Sequence, residues 1–148
     1  MALIRGSFQR PLVALSIFLA VLALYLFTLA PSITQRHFGA DSAELAATAY
    51  TMGVAHPTGY PSYLLLAKIF SLVIPWGDVA HRVNILSAVN GAGAVALVYL
   101  LCRLLIERTF RDSRGISSRA SAAATIAATA FAFSPLLWSQ SIKAEVYS

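Results

Sequence analysis

An uninterrupted apolar run without a single charge occupies residues 12–29. Its length matches the roughly 20 residues that an α-helix needs to cross a bilayer. Apolar residues make up 58% of the chain and charged residues 11%, whereas a soluble domain usually has about 45–50% and about 25%. A chain of this length cannot hide so much apolar surface in a soluble fold. The sequence therefore predicts an all-α integral membrane protein.

Two further apolar stretches, residues 85–106 and 120–138, bring the predicted number of transmembrane helices to three. The second span contains Gly91 and Gly93 among other small residues, which allow helices to approach closely in lipid. Pro135 is expected to interrupt the third span near its end, where neighbouring groups can satisfy the freed carbonyl. The first run is too long for a signal peptide, and we interpret it as a retained span.

Basic residues set the predicted orientation. They concentrate in the N-terminal tail and between the second and third spans, at Arg5, Arg10, Arg103, Arg108, Arg111, Arg114 and Arg119. The positive-inside rule places these segments in the cytoplasm and the loop of residues 31–84, with the tail after Trp138, on the outer face. The net charge of +5 then reflects membrane topology. Nucleic-acid binding is not expected, because basic and aromatic residues are not interleaved.

The outer loop is expected to contain short helices. Residues 42–52 have a helix-forming composition, with Asp41 or Ser42 as the N-cap. Residues 63–74 are apolar but too short to span, which indicates an interfacial or re-entrant helix.

Asp41 and Glu44 are the first candidate chemical pair. In a helix that starts at Asp41, the two carboxyl groups lie near the same face. Neighbouring carboxylates perturb each other's pKa, so one of them can act as a base. An N-capping aspartate followed by glutamate at the third position is also an ordinary helix start. Both interpretations stay open at this point.

A second candidate segment presents His56, Thr58 and Tyr60. Pro57 and Pro61 restrict the residues before them to extended geometry, and Gly59 permits a tight turn. Such a stiff loop suits ligand binding, but it also suits a plain connection between two helices. The three histidines of the chain are scattered, and no metal-binding spacing is found.

Two charged positions near the predicted span ends complete the candidate set. Arg82, with Asp78 and His81, can bind an anionic headgroup or merely anchor the start of the second span. Glu145 follows the third span, where it can reach the same boundary as Asp41 or remain solvated.

The order of these motifs resembles one family. They are Ala30-Pro31-Ser32, Gly39-Ala40-Asp41-Ser42-Ala43-Glu44-Leu45, Gly53-Val54-Ala55-His56-Pro57-Thr58-Gly59-Tyr60-Pro61, Arg82-Val83-Asn84, Phe133-Ser134-Pro135 and Ala144-Glu145-Val146-Tyr147. The chain is similar to the N-terminal part of a bacterial family, first described as a domain of unknown function, with a vertebrate relative that is a transmembrane protein O-mannosyltransferase. The family belongs to the GT-C superfamily of polytopic glycosyltransferases.

The resemblance implies a function. Such enzymes take a sugar from a polyprenyl-phosphate carrier and pass it to an acceptor hydroxyl at the outer membrane face. The resemblance suggests mannose as the sugar. The matching catalytic residue is Asp41, as general base, with Glu44 as the second acid. The resemblance gives substrate-binding roles to His56, Thr58, Tyr60, Arg82 and Glu145. It assigns no cofactor and leaves a divalent metal open.

The resemblance also implies the size of the whole protein, its membrane and its partners. Members have many more spans, so we expect residues 1–148 to be the N-terminal portion of a longer polytopic domain in a bacterial cytoplasmic membrane. The expected partners are membrane lipid, a polyprenyl-phosphate-linked sugar, and a protein or glycan acceptor. The alternative hypotheses are a non-catalytic module that binds lipid carriers or partner helices, and a small structural or transport subunit.

Overall fold

The computed structural model describes residues 2–34, 41–111 and 115–146, and only the backbone of residues 2–9. The motif residues Gly39, Ala40 and Tyr147 and the loop residue Arg114 lie outside these ranges. The described chain forms helices and no strand: α1 (Ala2–Phe27), α2 (Ser42–Thr51), α3 (Pro61–Val73), α4 (Val79–Thr109), α5 (Ile116–Ala132) and α6 (Pro135–Ser141). The expectation of an all-α fold is confirmed.

Two helices are long and apolar enough to cross a membrane alone, Arg10–Phe27 within α1 and the whole of α4. They account for the predicted spans of residues 12–29 and 85–106. The helix α4 is longer at both ends than its apolar stretch. Asp78 caps its start by accepting a hydrogen bond from the His81 backbone N–H at 2.7 Å.

The third span is interrupted at Pro135, as the sequence predicted, and its two parts form separate helices. The helix α5 ends at Ala132, and α6 begins at Pro135 with a bend of 64° between the two axes. Proline forces extended geometry on Ser134, whose φ and ψ are −64° and 133°. The carbonyl oxygen of Ala132 accepts a hydrogen bond from the Tyr25 hydroxyl at 2.8 Å. A neighbouring side chain thus satisfies the end of the broken helix, as expected.

The two short helices of the outer loop, α2 and α3, agree with the predicted segments. Pro61 fits the first turn of α3, because a backbone N–H at that position would have no hydrogen-bond partner within the helix. Its end suits Pro75, because the preceding residue Ile74 is extended, with φ −81° and ψ 120°.

The helix α4 is the central element, since α1, α2, α3, α5 and α6 all pack against it. One side of α5 carries alanines one turn apart, and all of them are fully buried: Ala120, Ala124, Ala128 and Ala132. Small side chains at this spacing let two helices pack closely where no water drives them together. The alanine content of the third span therefore has a structural reason.

The two glycines of α4 differ in their surroundings. A Cβ atom at Gly91 would lie 2.0 Å from the Ser141 Oγ and 3.3 Å from a ring carbon of Tyr25. A Cβ atom at Gly93 would meet nothing within 4 Å in the described structure. Only Gly91 marks a close approach, between α4, α6 and α1.

Asn84 ties three parts of the chain together at the end of the bundle near α2 and α3. Its fully buried carboxamide donates to the carbonyls of Ala30 and Ser32, at 3.0 and 3.3 Å. It accepts from the Ala144 backbone N–H at 2.6 Å. The end of α1, the beginning of α4 and the segment after α6 are thereby held in one register.

Replacement of Gly91 by alanine is expected to destabilise the bundle by about 1–3 kcal/mol, because the added methyl group has no room. The measurement is the thermal unfolding temperature of the purified protein in detergent. Gly93→Ala is the matched control and should leave this temperature nearly unchanged. Equal effects of the two substitutions would contradict the close approach at Gly91.

Candidate active site

The first turn of α2 carries the two candidate acids, Asp41 and Glu44. Asp41 occupies the N-cap position, yet its side chain makes no capping hydrogen bond. Glu44 does not fold back onto the N-cap; it bonds to His56 instead. Both carboxylates are about two-fifths exposed. The interpretation of this pair as a helix-capping device is therefore wrong for both side chains.

His56 lies between the two acids. Its Nδ1 is 2.9 Å from the Glu44 Oε2, and its backbone N–H donates to the Glu44 Oε1 at 2.7 Å. Its Nε2 is 4.0 Å from the Asp41 Oδ2. One carboxylate therefore orients the imidazole from one side, and the other side of the ring faces Asp41.

The charges around His56 favour its protonated form. The hydrogen bond that the His56 ring donates to Glu44 raises the pKa of His56 above its ordinary value. Desolvation opposes this effect, and the negative charges of Glu44, Asp41 and Glu145 add to it. The hydrogen bonds from the ring and backbone of His56 lower the pKa of Glu44. The carboxylates of the site thus favour the protonated over the neutral form of the imidazole.

The turn between α2 and α3 brings His56 back to α2. The Gly59 N–H donates to the His56 carbonyl at 2.7 Å, and Gly59 has a φ of 81°, as expected for a glycine turn. Tyr60, which was expected to be extended because it precedes Pro61, instead has a left-handed φ of 46°. Its ring lies edge-on to the imidazole, with 5.5 Å between ring centroids. Thr58 is exposed at the tip of this turn.

Glu145 approaches the same region from the segment after α6. It is buried, and its backbone N–H donates to the Ser87 Oγ at 3.1 Å. Its carboxylate accepts from the Val146 N–H at 2.9 Å and lies 3.5 Å from the Lys143 Nζ. Its charge contributes to the raised pKa of His56, so Glu145 lies within electrostatic range of the imidazole.

Arg82 has a structural role at the connection between α3 and α4. Its Nη1 donates to the Ser71 carbonyl at 2.9 Å, and its Nε to the carbonyls of Gly77 and Trp76 at 3.1 and 3.3 Å. Asp78 accepts from Ser32 and from the His81 backbone, which lowers the pKa of its carboxyl group. These residues anchor the helix start; phosphate binding by Arg82 stays a prediction.

A cleft of about 330 Å³ lies beside Tyr60, whose ring contacts the imidazole of His56. Tyr60 lines it together with residues of α3, α4 and the final segment: Pro61, Ser62, Tyr63, Leu66, Asn90 and Val146. Its wall is mostly apolar, and Tyr60 links it to His56. A ligand with a polar end and an apolar body fits such a place.

A family model described as the N-terminal domain of protein O-mannosyl-transferase TMEM260 matches residues 41–148. The chain belongs to this family. Protein O-mannosyl-transferase TMEM260 of Mus musculus is 39% identical over 136 residues, which cover 91% of this chain and 17% of the mouse protein. The protein of the same name from Dictyostelium discoideum is 32% identical over 134 residues, or 89% of this chain and 14% of that protein.

The chain therefore spans about a sixth of the length of these TMEM260 relatives. No solved structure matches it. The family match begins at Asp41 and includes every candidate site residue. The resemblance inferred from the motifs is confirmed at the level of the family.

The structure also gives this TMEM260-family site a metal-binding geometry that spacing along the sequence does not reveal. One ligand atom each from Asp41, Glu44 and His56 lies within 4.8 Å of the others. Carboxylate oxygens and a neutral imidazole nitrogen suit a divalent cation. A cation would have to displace the proton from His56, because metal and proton compete for the same nitrogen.

Lys143 was not singled out by sequence reasoning. It is 1% exposed, and its Nζ lies 2.9 Å from the Gln140 Oε1 as well as near Glu145. A buried lysine requires such partners. No sequence signal marks it, because it stands in an ordinary polar segment after a span.

The pairing predicts how His56 titrates. The interaction of protonated His56 with Glu44 stabilises the fold fully below pH 6.5, the ordinary pKa of histidine in the unfolded chain. This stabilisation is lost as the pH rises through the raised pKa of His56 in the folded protein. The contribution of ionised Glu44 to stability is complete above pH 4.5, its ordinary pKa, and is lost as the pH falls through its lowered pKa in the folded protein. We expect an NMR titration of the His56 ring to show a midpoint above 6.5.

Glu44→Gln should move this midpoint towards 6.5, because the carboxylate that holds the imidazolium is removed. Glu107→Gln is the matched control, since Glu107 pairs with Arg103 and Arg10 instead. An unchanged midpoint in Glu44→Gln would contradict the geometry.

Proposed function

We propose that this chain forms part of a membrane glycosyltransferase of the O-mannosyltransferase type. The enzyme would take a sugar from a polyprenyl-phosphate carrier and pass it to a hydroxyl of a protein or glycan at the outer membrane face. The names of the mouse and Dictyostelium relatives support the reaction class. The observation that carries the proposal is the His56–Glu44 hydrogen-bonded pair beside Asp41.

In the proposed reaction, Asp41 is the general base. The acceptor oxygen attacks the anomeric carbon, its proton passes to the Asp41 carboxylate, and the bond between the anomeric carbon and the phosphate oxygen breaks. The polyprenyl phosphate leaves with the bonding electron pair. The base must reach the acceptor proton, and the exposure of the Asp41 carboxylate leaves room for the acceptor.

Glu44 is a positioning residue in this scheme rather than a second base. Two hydrogen bonds from His56 already occupy its two oxygens. It fixes the imidazole and favours its protonated form, which carries an Nε2–H on the side of Asp41. A protonated imidazole there can donate a hydrogen bond to the departing phosphate, where negative charge develops.

Arg82 is proposed to assist the same phosphate. Among the described residues, its hydrogen bonds to carbonyls use Nε and Nη1. The Nη2 group is left for a phosphate oxygen. The cleft beside Tyr60 is proposed to receive the first isoprene units of the carrier, because Leu66, Tyr63 and Val146 line it.

The setting of the proposal is a bacterial cytoplasmic membrane with the N-terminus in the cytoplasm. The exposed arginines at the opposite end of α4 support this orientation through the positive-inside rule. The outer face then carries Asp41, His56 and Glu145, where an acceptor outside the cell is within reach.

The test is transfer from a radiolabelled polyprenyl-phosphate sugar in membranes that contain the full-length protein. Asp41→Asn should lower the rate of transfer by about 10²-fold or more, because an amide cannot accept the proton. The thermal unfolding temperature of this isosteric variant should match that of the wild type. Wild-type transfer in Asp41→Asn would contradict the role of the base.

The same assay distinguishes the two sources of positive charge in the site. If His56 supplies it as an imidazolium, removal of divalent cations with EDTA leaves transfer intact. If a cation at Asp41, Glu44 and His56 supplies it, EDTA abolishes transfer, and added Mg²⁺ or Mn²⁺ restores it. Binding of the donor without transfer under every condition would favour a carrier-binding module.

A further inference from the structure

A cavity lies at the other end of the bundle from His56. Its volume is about 780 Å³, and it is lined by Leu12 and Val13 of α1, Arg103 of α4, and Ser117, Ser118, Ser121, Ala122, Thr125 and Ile126 of α5. The helices α1 and α5 both pack against α4. The cavity lies between α1 and α5, and Arg103 is part of its lining. The proposed transfer reaction uses none of these residues.

Arg103 gives the lining of this cavity a positive charge, and its hydrogen bonds hold the guanidinium group in place. Arg103 is 3% exposed, and its Nε donates to the Glu107 Oε1 at 3.1 Å. The other oxygen of Glu107 accepts from the Arg10 Nη2 at 2.8 Å. Two guanidinium groups thus share one carboxylate. Three further arginines are exposed at the same end of the bundle, Arg108, Arg111 and Arg119.

The hydrogen bonds of Arg103 determine which way the nearby hydroxyl groups point. Its Nη1 donates to the Tyr99 Oη at 2.9 Å, and the Tyr99 Oη lies 3.1 Å from the Ser121 Oγ. Tyr99 is fully buried, so its own hydroxyl hydrogen needs an acceptor. The Ser121 Oγ is the acceptor within reach. Tyr99 therefore donates to Ser121.

The same argument applies to Ser117. The Arg103 Nη2 donates to the Ser117 Oγ at 3.1 Å, so this oxygen is an acceptor too. A hydroxyl group that accepts in this way keeps its own hydrogen to donate. In the described part of the chain, no acceptor receives the hydroxyl hydrogens of Ser117, Ser118 or Ser121. All three serines line the cavity, which therefore presents hydrogen-bond donors and a positive charge.

We infer that the gap between α1 and α5 is a binding site for a phosphate group, carried either by the headgroup of an anionic membrane phospholipid or by a soluble anion. Phosphate oxygens accept several hydrogen bonds and favour arginine. Basic groups beside a membrane helix attract anionic headgroups. The aliphatic side chains of Leu12, Val13 and Ile126 in the same wall suit the glycerol and acyl part of a lipid.

The test uses the full-length protein purified in detergent, with two probes, phosphatidylglycerol and inorganic phosphate. Native mass spectrometry measures bound lipid against phosphatidylcholine as the uncharged comparator, and isothermal titration measures phosphate. The double variant Ser117→Ala/Ser121→Ala should bind the probe at least about tenfold more weakly, because each lost hydrogen bond to a charged group weakens binding by about that factor.

Two further variants keep the result interpretable. Ser118→Ala removes a donor from the cavity without touching Arg103, so it should weaken binding and leave the unfolding temperature unchanged. Ser139→Ala is the matched control, because its hydroxyl donates to the Leu136 carbonyl on α6.

The outcomes separate the two sources of phosphate. Serine-dependent binding of phosphatidylglycerol alone assigns the site to a lipid headgroup, and serine-dependent binding of inorganic phosphate assigns it to a soluble anion. The inference is overturned if neither probe binds the wild type, or if Ser118→Ala and the double variant bind like Ser139→Ala.

Discussion

The buried carboxamide of Asn84 is the interaction on which the rest of this structure depends. A fully buried amide is costly unless its hydrogen bonds are made, and Asn84 makes them to three separate backbone segments. It joins the end of α1 to the segment after α6 across the start of α4. Ser87, one turn later on α4, extends this junction by bonding both the N–H and the carbonyl of Glu145. The segment that carries Glu145 is thereby held beside α2 and α3.

The candidate active site follows from this junction and from two local features. The helix α2 presents Asp41 and Glu44 on its first turn, and the turn at Gly59 returns the chain so that His56 meets both acids. Leu45 and Ala49 of α2 pack with Tyr63 of α3 and Val83 of α4 in one apolar cluster. Rigid packing beneath the exposed polar groups holds their geometry fixed.

Much of the fold could be predicted from the sequence, because it depends on local signals. Apolar length predicted the spans and the short helix α3, and the position of Pro135 predicted the interruption of the third span. The severity of that interruption was missed, because whether a proline bends a span or ends it depends on partners such as Tyr25. The spacing of Asp41 and Glu44 predicted a shared face, but it did not decide between capping and chemistry.

The contacts that define the site could not be predicted from the sequence. The bond between Glu44 and His56 requires the chain to turn back on itself, and no residue type in that stretch specifies the pairing. Arg82 was expected either to bind an anionic headgroup or to anchor the start of the second span, but the sequence did not identify the carbonyls of Ser71 and Gly77, to which its Nη1 and Nε donate. Such long-range partners follow from the packing of whole helices around α4. They therefore leave no mark in the spacing of the sequence.

The most direct measurement is a cryo-EM structure of the full-length protein with a polyprenyl-phosphonate sugar that cannot be transferred. The account predicts the anomeric carbon beside the Asp41 carboxylate, the phosphonate against the Nε2 side of His56, and the polyprenyl chain entering the cleft beside Tyr60. A donor bound elsewhere in the protein, with Asp41 and His56 free of it, would contradict the assignment of this site.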